Sequence, residues 1–241
     1  MTARFLVEAP FAPGESVELP ERAAHHALRV LRLRDGDRIE LFDGGGNACT
    51  AQLVAQGRRA RAAIGQVLPA EPPAALRVTL AQCLSGADRM DWSIEKAVEL
   101  GAAAIVPLQS DRATARLDAA RAQRKHAHWR EVAVAACMQC GRSRLPELEP
   151  FASLASWLQA PPAADRRLLL SPRGGATLRG IDPPPRSVVV LVGPEAGLTE
   201  AEERAAADAG FAPVRLGPRV LRTETAGPAA IAALQALYGD F

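Results

Sequence analysis

Two segments near the C-terminus concentrate the residue types that hold a ligand and move protons. Gly193-Pro194-Glu195-Ala196-Gly197-Leu198-Thr199-Glu200 follows an apolar run, and Leu216-Gly217-Pro218-Arg219-Val220-Leu221-Arg222-Thr223-Glu224-Thr225-Ala226-Gly227 leads into another. Glycines let backbone approach a ligand closely, arginines offer forked donors to anionic groups, and a carboxylate can take up a proton. Each segment also has a plainer reading. A Gly-Pro turn followed by Thr199 and Glu202 at capping-box spacing is ordinary helix punctuation, and an Arg-Glu pair with a threonine N-cap suits any surface loop. The second segment nevertheless packs two arginines, a carboxylate and two threonines beside Gly217 and Gly227. That density favours a site.

Other chemistry-bearing patterns are weaker. Cys137-Met-Gln-Cys140 has zinc or redox spacing, but no second pair supplies the four ligands of a structural zinc site, so two packed helix cysteines and no metal are expected. Arg22, His26 and Arg29 recur at spacings that share a helix face, which suits either phosphate reading or ordinary surface. Between positions 112 and 144 eight basic residues face only Asp118 and Glu131, a patch that would attract a polyanion or simply solvate a helix. No G-x-G-x-x-G, Walker A or G-x-S-x-G motif occurs, which argues against dinucleotide, P-loop and serine-hydrolase chemistry.

The elements that must position these residues change character along the chain. Residues 1–70 read as short strands (4–8, 16–19, 38–42, 51–55, 62–68) with one helix over 21–33, a pattern that suits a small β-barrel. Pro69-Ala-Glu-Pro-Pro73 reads as a linker. From 74 to 241 apolar strands (76–84, 104–107, 168–170, 188–192, 214–216) alternate with helices (89–100, 117–140, 199–209 and a last one to about 238), which predicts a parallel sheet covered on both faces. In such sheets ligands bind beyond the carboxyl ends of the strands, so the loops after Leu170, Val192 and Leu216 are where a site belongs.

Composition bounds the rest. The 241 residues are 48% hydrophobic and 23% charged with a net charge of +2, which excludes disordered and fibrous classes. No apolar run approaches the roughly 20 residues of a membrane span, and the N-terminus has no signal-peptide core, so a cytoplasmic protein without a membrane partner is expected. Four irregularly spaced cysteines make no disulfide scaffold. Aromatic residues, 4% of the chain, are too sparse for a stacked RNA platform, so any RNA contact leans on arginine and shape.

The two C-terminal segments, together with Glu95-Lys-Ala-Val-Glu-Leu-Gly101, Ala135-Ala-Cys-Met-Gln-Cys-Gly-Arg142, Pro146-Glu147, Arg4-Phe5 and His26-Ala-Leu-Arg-Val-Leu-Arg32, resemble the ribosomal RNA small subunit methyltransferase E family over nearly the whole chain. The family usually carries glycine where this chain has Ala196. The resemblance implies a PUA-like N-terminal β-barrel for RNA binding (1–70) and a SPOUT-type methyltransferase domain (74–241) whose C-terminal segment forms a trefoil knot. It also implies a homodimer that uses S-adenosylmethionine to methylate N3 of a uridine in 16S rRNA of the small ribosomal subunit. Carried onto this chain, the cofactor contacts are Leu170, Gly193, Pro194, Glu195, Leu216, Val220, Leu221 and Thr223. Arg222 would stabilise the uridine anion or a nearby phosphate, and Glu224 or a backbone carbonyl would handle the proton. RNA contacts would come from Arg4, His26, Arg29, Arg32, Gln139, Arg142 and Arg144. The alternatives are a SPOUT 2'-O-methyltransferase acting on tRNA or rRNA, and a non-catalytic RNA-binding assembly factor.

Overall fold

The computed structural model describes residues 2–8, 10–113 and 116–241. They form two compact units, one from Met1–Pro73 with Val134–Leu145, the other from Ala74–Ala133 with Pro146–Phe241.

In the first unit, β1 (Ala3–Leu6), β2 (Ser16–Glu18), α1 (Glu21–His25), β3 (Arg38–Phe42), β4 (Ala48–Gln56) and β5 (Arg59–Val67) build a five-stranded sheet in the order β1-β3-β4-β5-β2. The β1–β3 pair is parallel and the others antiparallel. Strict alternation explains which face is buried: Ile39 and Leu41, then Cys49, Ala51 and Leu53, then Ala60, Ala62 and Ile64 all enter one core with Phe5 and Val7. Side chains of period two in the sequence thus become one apolar face.

The helix expected over 21–33 is not regular. After α1 the chain widens into a π-helical turn, His26–Val30, in which Leu31 N donates to His26 O at 2.9 Å. Arg32, at φ +54°, then ends it. The turn buries Ala27 completely while Val30 and Leu31 stay exposed, so tertiary packing of small residues overrides the simple 3.6-residue period.

The second unit contains β6 (Arg77–Cys83), α2 (Ala87–Glu99), β7 (Ala104–Gln109), α3 (Ala119–Cys140, whose residues from Val134 belong to the first unit), β8 (Glu147–Leu148), β9 (Ala152–Ser153), α4 (Leu154–Trp157), β10 (Arg166–Leu170), β11 (Ser187–Val192), α5 (Glu200–Asp208), β12 (Ala212–Val214) and α6 (Thr223–Tyr238). Its strands are all parallel, in the order β12-β10-β11-β6-β7-β8, with β9 also on β7. The central strand β11 has no exposed face: Val189 and Leu191 pack with Leu154 and Ala206 from α4 and α5, and α6 covers the opposite side, where Val188, Val190 and Val192 are buried too. Each such side chain contributes about 1.5–3 kcal/mol of apolar burial, which is why the strand reads as an unbroken apolar run.

Two sequence expectations are corrected here. The edge strand expected at 214–216 is Ala212–Val214, because its register with Leu168–Leu170 ends where Val214, the buried residue, pairs Leu170. The short elements β8, β9 and α4 were not expected at all. They are two-residue strands and one helical turn, held by pairing with β7 and by a Ser153 N-cap on Ser156 N, and such lengths carry no periodicity. Among the described residues no helix is long and apolar enough to cross a membrane.

Candidate functional site

β10, β11 and β12 end side by side at Leu170, Val192 and Val214, and the loops beyond them enclose a cavity of about 520 Å³. Leu170, Val192, Leu198, Leu216, Val220 and Leu221 give it apolar walls, while Arg89, Glu195, Glu203, Arg219, Arg222 and Glu224 supply charge. Gly193, Pro194 and Thr223 also line it, so the structure gathers all ten residues named above for cofactor contact and catalysis around one space. Gly217 bends the second loop at φ +124°, a conformation that side-chain-bearing residues rarely adopt.

Buried polar groups hold these loops. Thr223, first residue of α6, donates its hydroxyl to Gly193 O at 2.7 Å and accepts from Gln82 Nε2 at 3.0 Å. Gln82 also donates to Cys83 O at 3.0 Å, so β6, the loop after β11 and α6 are joined by one relay. Close approach of α6 to β6 needs Gly227, where a Cβ would lie 2.9 Å from Leu80 Cδ1.

The expected capping box is present on α5: Glu202 N donates to Thr199 Oγ1 at 3.1 Å and Thr199 N to Glu202 Oε2 at 2.8 Å. The other carboxylate oxygen of Glu202 accepts from Asp111 N at 2.8 Å, and Arg112 Nη1 reaches Leu198 O at 3.3 Å.

Charge at the rim is organised around Arg89. Its guanidinium lies 2.8 Å from Glu195 Oε1 and 3.8 Å from Glu224 Oε1, while Glu224 Oε2 is buried without a partner. Burial disfavours ionisation of Glu195. Hydrogen bonds from its own amide and from Gly86 N, together with the Arg89 guanidinium, outweigh that and hold its carboxyl below the usual range. Arg222 is the N-cap of α6 and is exposed. Cys83 is fully buried, and that burial pushes its thiol up to about 12.

Arg89 and Gln82 escaped the sequence reading, and Glu202 and Arg112 entered it only as a helix cap and as part of a basic patch. Each acts on a loop far along the chain; Gln82 and Thr223 are 141 positions apart and Arg89 and Glu195 are 106 apart. Arg89 had one available signal, because it opens the helix after a parallel strand and therefore lies at that strand's carboxyl end.

The remaining candidates all lie in the first unit. Arg29, Arg32 and Gln139 are exposed, and His26, beside the Phe5 ring at 6.2 Å, is half-buried. Arg144 is also half-buried, with its Nε donating to Glu71 O at 2.8 Å and its guanidinium against Gly46. Arg142 is half-buried too, and its carbonyl accepts from Arg4.

Arg4 itself is a correction to the expected RNA contacts. It is 7% exposed and spends its donors on Glu40 (3.1 Å), Arg142 O (3.0 Å), Cys137 O (3.3 Å) and Ser143 Oγ (2.8 Å), with Phe42 beneath it at 5.0 Å. It holds the 142–144 loop rather than facing a ligand. Glu71 takes the Ser143 and Arg144 amides. Cys137 is buried, with its thiol pushed up to about 12 chiefly by that burial, and among the described residues no cluster of three or more His, Cys, Asp or Glu side chains could hold a metal ion.

An apolar-walled cavity with a charged rim, at the carboxyl ends of a parallel sheet, suits a small molecule that carries both apolar and ionised groups. The unpartnered Glu224 oxygen on the wall of this cavity can accept a hydrogen bond from such a ligand. The chain matches an RNA-modifying enzyme class in both of its parts. Residues 72–235 match an RNA methyltransferase domain and residues 19–63 an RNA methyltransferase PUA domain.

The chain belongs to the ribosomal RNA small subunit methyltransferase E family. The family member from Mycobacterium bovis is 36% identical over 222 residues, 88% of this chain and 83% of the relative. The Neisseria gonorrhoeae member, solved bound to S-adenosylmethionine, is 40% identical with a TM-score of 0.92 and full coverage of both chains. A Legionella pneumophila protein solved with the same cofactor is 34% identical with a TM-score of 0.96, again over 100% of each chain.

Proposed function

We propose that this protein uses S-adenosylmethionine to methylate N3 of a uridine in 16S rRNA of the small ribosomal subunit. One observation carries the reading: both C-terminal segments line a single cavity, in a chain 40% identical over its full length to a family member bound to that cofactor. The bound cofactor supplies an electrophilic methyl group.

Everything else falls to the chain's own residues. Leu170, Leu216 and Leu221 exclude water, Val220 adds apolar contact surface, and the backbone of Gly193, Pro194 and Glu195 with Thr223 holds the cofactor in register. N3 of uracil carries a proton and is a poor nucleophile until it leaves, so alignment and proton removal are the tasks. Glu224 accepts that proton on its unpartnered oxygen, and Arg222 faces the negative charge that develops on the uracil or a nearby phosphate.

In this reading residues 1–70 close as a PUA-like barrel that grips RNA through His26, Arg29 and Arg32, joined by Gln139, Arg142 and Arg144. Residues 74–241 are the SPOUT-type catalytic domain, with the C-terminal segment drawn through a trefoil knot. The enzyme works as a cytoplasmic homodimer. A uridine in folded rRNA must be splayed out to expose N3, at a cost of a few kcal/mol, and a separate RNA-holding domain offsets that cost.

The test is transfer of labelled methyl onto small subunits from a strain lacking the protein, with the product identified by nucleoside mass spectrometry. 3-Methyluridine is expected. A 2'-O-methylated nucleoside, or cofactor binding without transfer, overturns the reading.

A further inference from the structure

Arg89 joins two segments that the chain brings together only in the folded state. Glu195 sits in the loop after β11 and Glu224 in the first turn of α6, and the guanidinium of Arg89 meets an Oε1 atom of each, at 2.8 and 3.8 Å. A planar fork between two carboxylates relieves their mutual repulsion and orients both, which a point charge does less well. Oε1 of Glu224 faces the guanidinium at ion-pair distance, while Oε2 is buried, unpartnered and on a residue that lines the cavity. A buried acceptor without a donor is costly and takes one from whatever enters.

Among the described residues Glu224 pairs with Arg89 of α2 at 3.8 Å, and Arg89 pairs with Glu195 of the loop after β11, while Glu203, Arg215, Arg219 and Arg222 line the same cavity. β11 carries no charged residue, and the one on β6, Arg77, is at the opposite end of that strand.

We infer that Arg89 is a positioning residue for the methyl-transfer reaction: anchored on Glu195, its guanidinium draws Oε1 of Glu224 toward itself and so aims Oε2 at the N3 proton of the target uracil. The inference rests on the methyltransferase reading above. The N3–H bond breaks, its electron pair stays on N3, and the proton passes to Glu224 Oε2 and from there to solvent.

The test is a double-mutant cycle. The wild type, Arg89→Met, Arg89→Lys, Glu224→Gln and the Met/Gln double variant are compared for kcat at saturating cofactor and RNA. Cofactor Kd by calorimetry and thermal melting are measured alongside. Arg89→Met is expected to lower kcat about 10- to 100-fold, and Glu224→Gln about 100-fold or more. In the double variant the arginine change adds less than about threefold to the glutamine change, the mark of two residues acting as one unit. Cofactor Kd stays within about threefold of wild type, and lysine recovers part of the rate because it keeps the charge but not the fork.

Multiplicative losses, or a loss confined to Kd and melting temperature with kcat unchanged, overturn the role given to Arg89. A wild type that binds cofactor but makes no product overturns the methyltransferase reading and this inference with it.

Discussion

Replacing Thr223 by valine keeps the shape of the side chain and removes a single hydroxyl that ties three elements together. Thr223 is 7% exposed, so water cannot substitute for the lost group. Its hydroxyl is a 2.7 Å donor to Gly193 O and a 3.0 Å acceptor for Gln82 Nε2. Valine strands the Gly193 carbonyl; Gln82 retains only Cys83 O, at 3.0 Å.

One orphaned buried acceptor and one weakened donor cost about 2–3 kcal/mol. At roughly 2–4 °C per kcal/mol for a unit of this size, the melting temperature falls by about 4–12 °C. Because Gly193 opens the loop that walls the cavity, S-adenosylmethionine affinity measured by calorimetry falls about tenfold as well, the equivalent of 1.4 kcal/mol. Thr223→Ser, which keeps the hydroxyl, recovers most of both. A valine variant that melts within about 1 °C of wild type and binds cofactor equally well would refute the relay as the support of this loop.

Gly227→Ala puts a methyl group 2.9 Å from Leu80 Cδ1 and 3.3 Å from Gln82 Oε1, and chemical denaturation should register about 1–3 kcal/mol of overpacking. Arg4→Met removes the donor that Glu40, Ser143 and the Arg142 carbonyl take from Arg4, while the Cys137 carbonyl keeps the Gly141 amide. It should cost about 3 kcal/mol or more and weaken RNA binding by freeing the 142–144 loop, as filter binding would show. Glu195 has a folded pKa below its ordinary value of 4.5, so its contribution to stability is complete above 4.5 and is lost as pH falls through the lower folded value. Melting of Glu195→Gln should therefore change less than wild type over that acid range. Arg29→Ala and Arg32→Ala, at exposed positions, should each reduce the slope of log affinity against log salt by about 0.7–0.9 without changing the nucleoside product.

Where an element's own residues decide its conformation, the chain could be read directly. β3 was expected at Arg38–Phe42 and is found there, because alternation and the flanking Asp-Gly-Asp and Asp-Gly-Gly turns are local signals. α5 follows its capping box, and β11 its apolar run, since a fully buried strand needs nothing but apolar side chains. Local signals failed where partners at a distance set the outcome. The π turn at His26–Val30 exists because Ala27 is drawn into a core built from β1, β3, β4 and β5, and β8 and β9 exist because β7 has an edge to pair.

The site divides in the same way. That the loops after Leu170, Val192 and Leu216 would converge follows from a parallel sheet, in which every strand delivers its carboxyl end to the same side. Sequence therefore named ten of the residues that line the cavity, though not Arg89. Only the tertiary structure decided what holds them: Gln82 under Thr223, Glu202 between two loops, and Arg89 between two glutamates. It also moved Arg4 from the RNA-facing set to the interior, where five neighbours absorb its charge and donors. The physical reason is common to these cases. Periodicity and turn chemistry act over a few residues and leave a trace in the chain, whereas a hydrogen bond or ion pair across 100 positions depends on geometry that exists only after the sheet has formed.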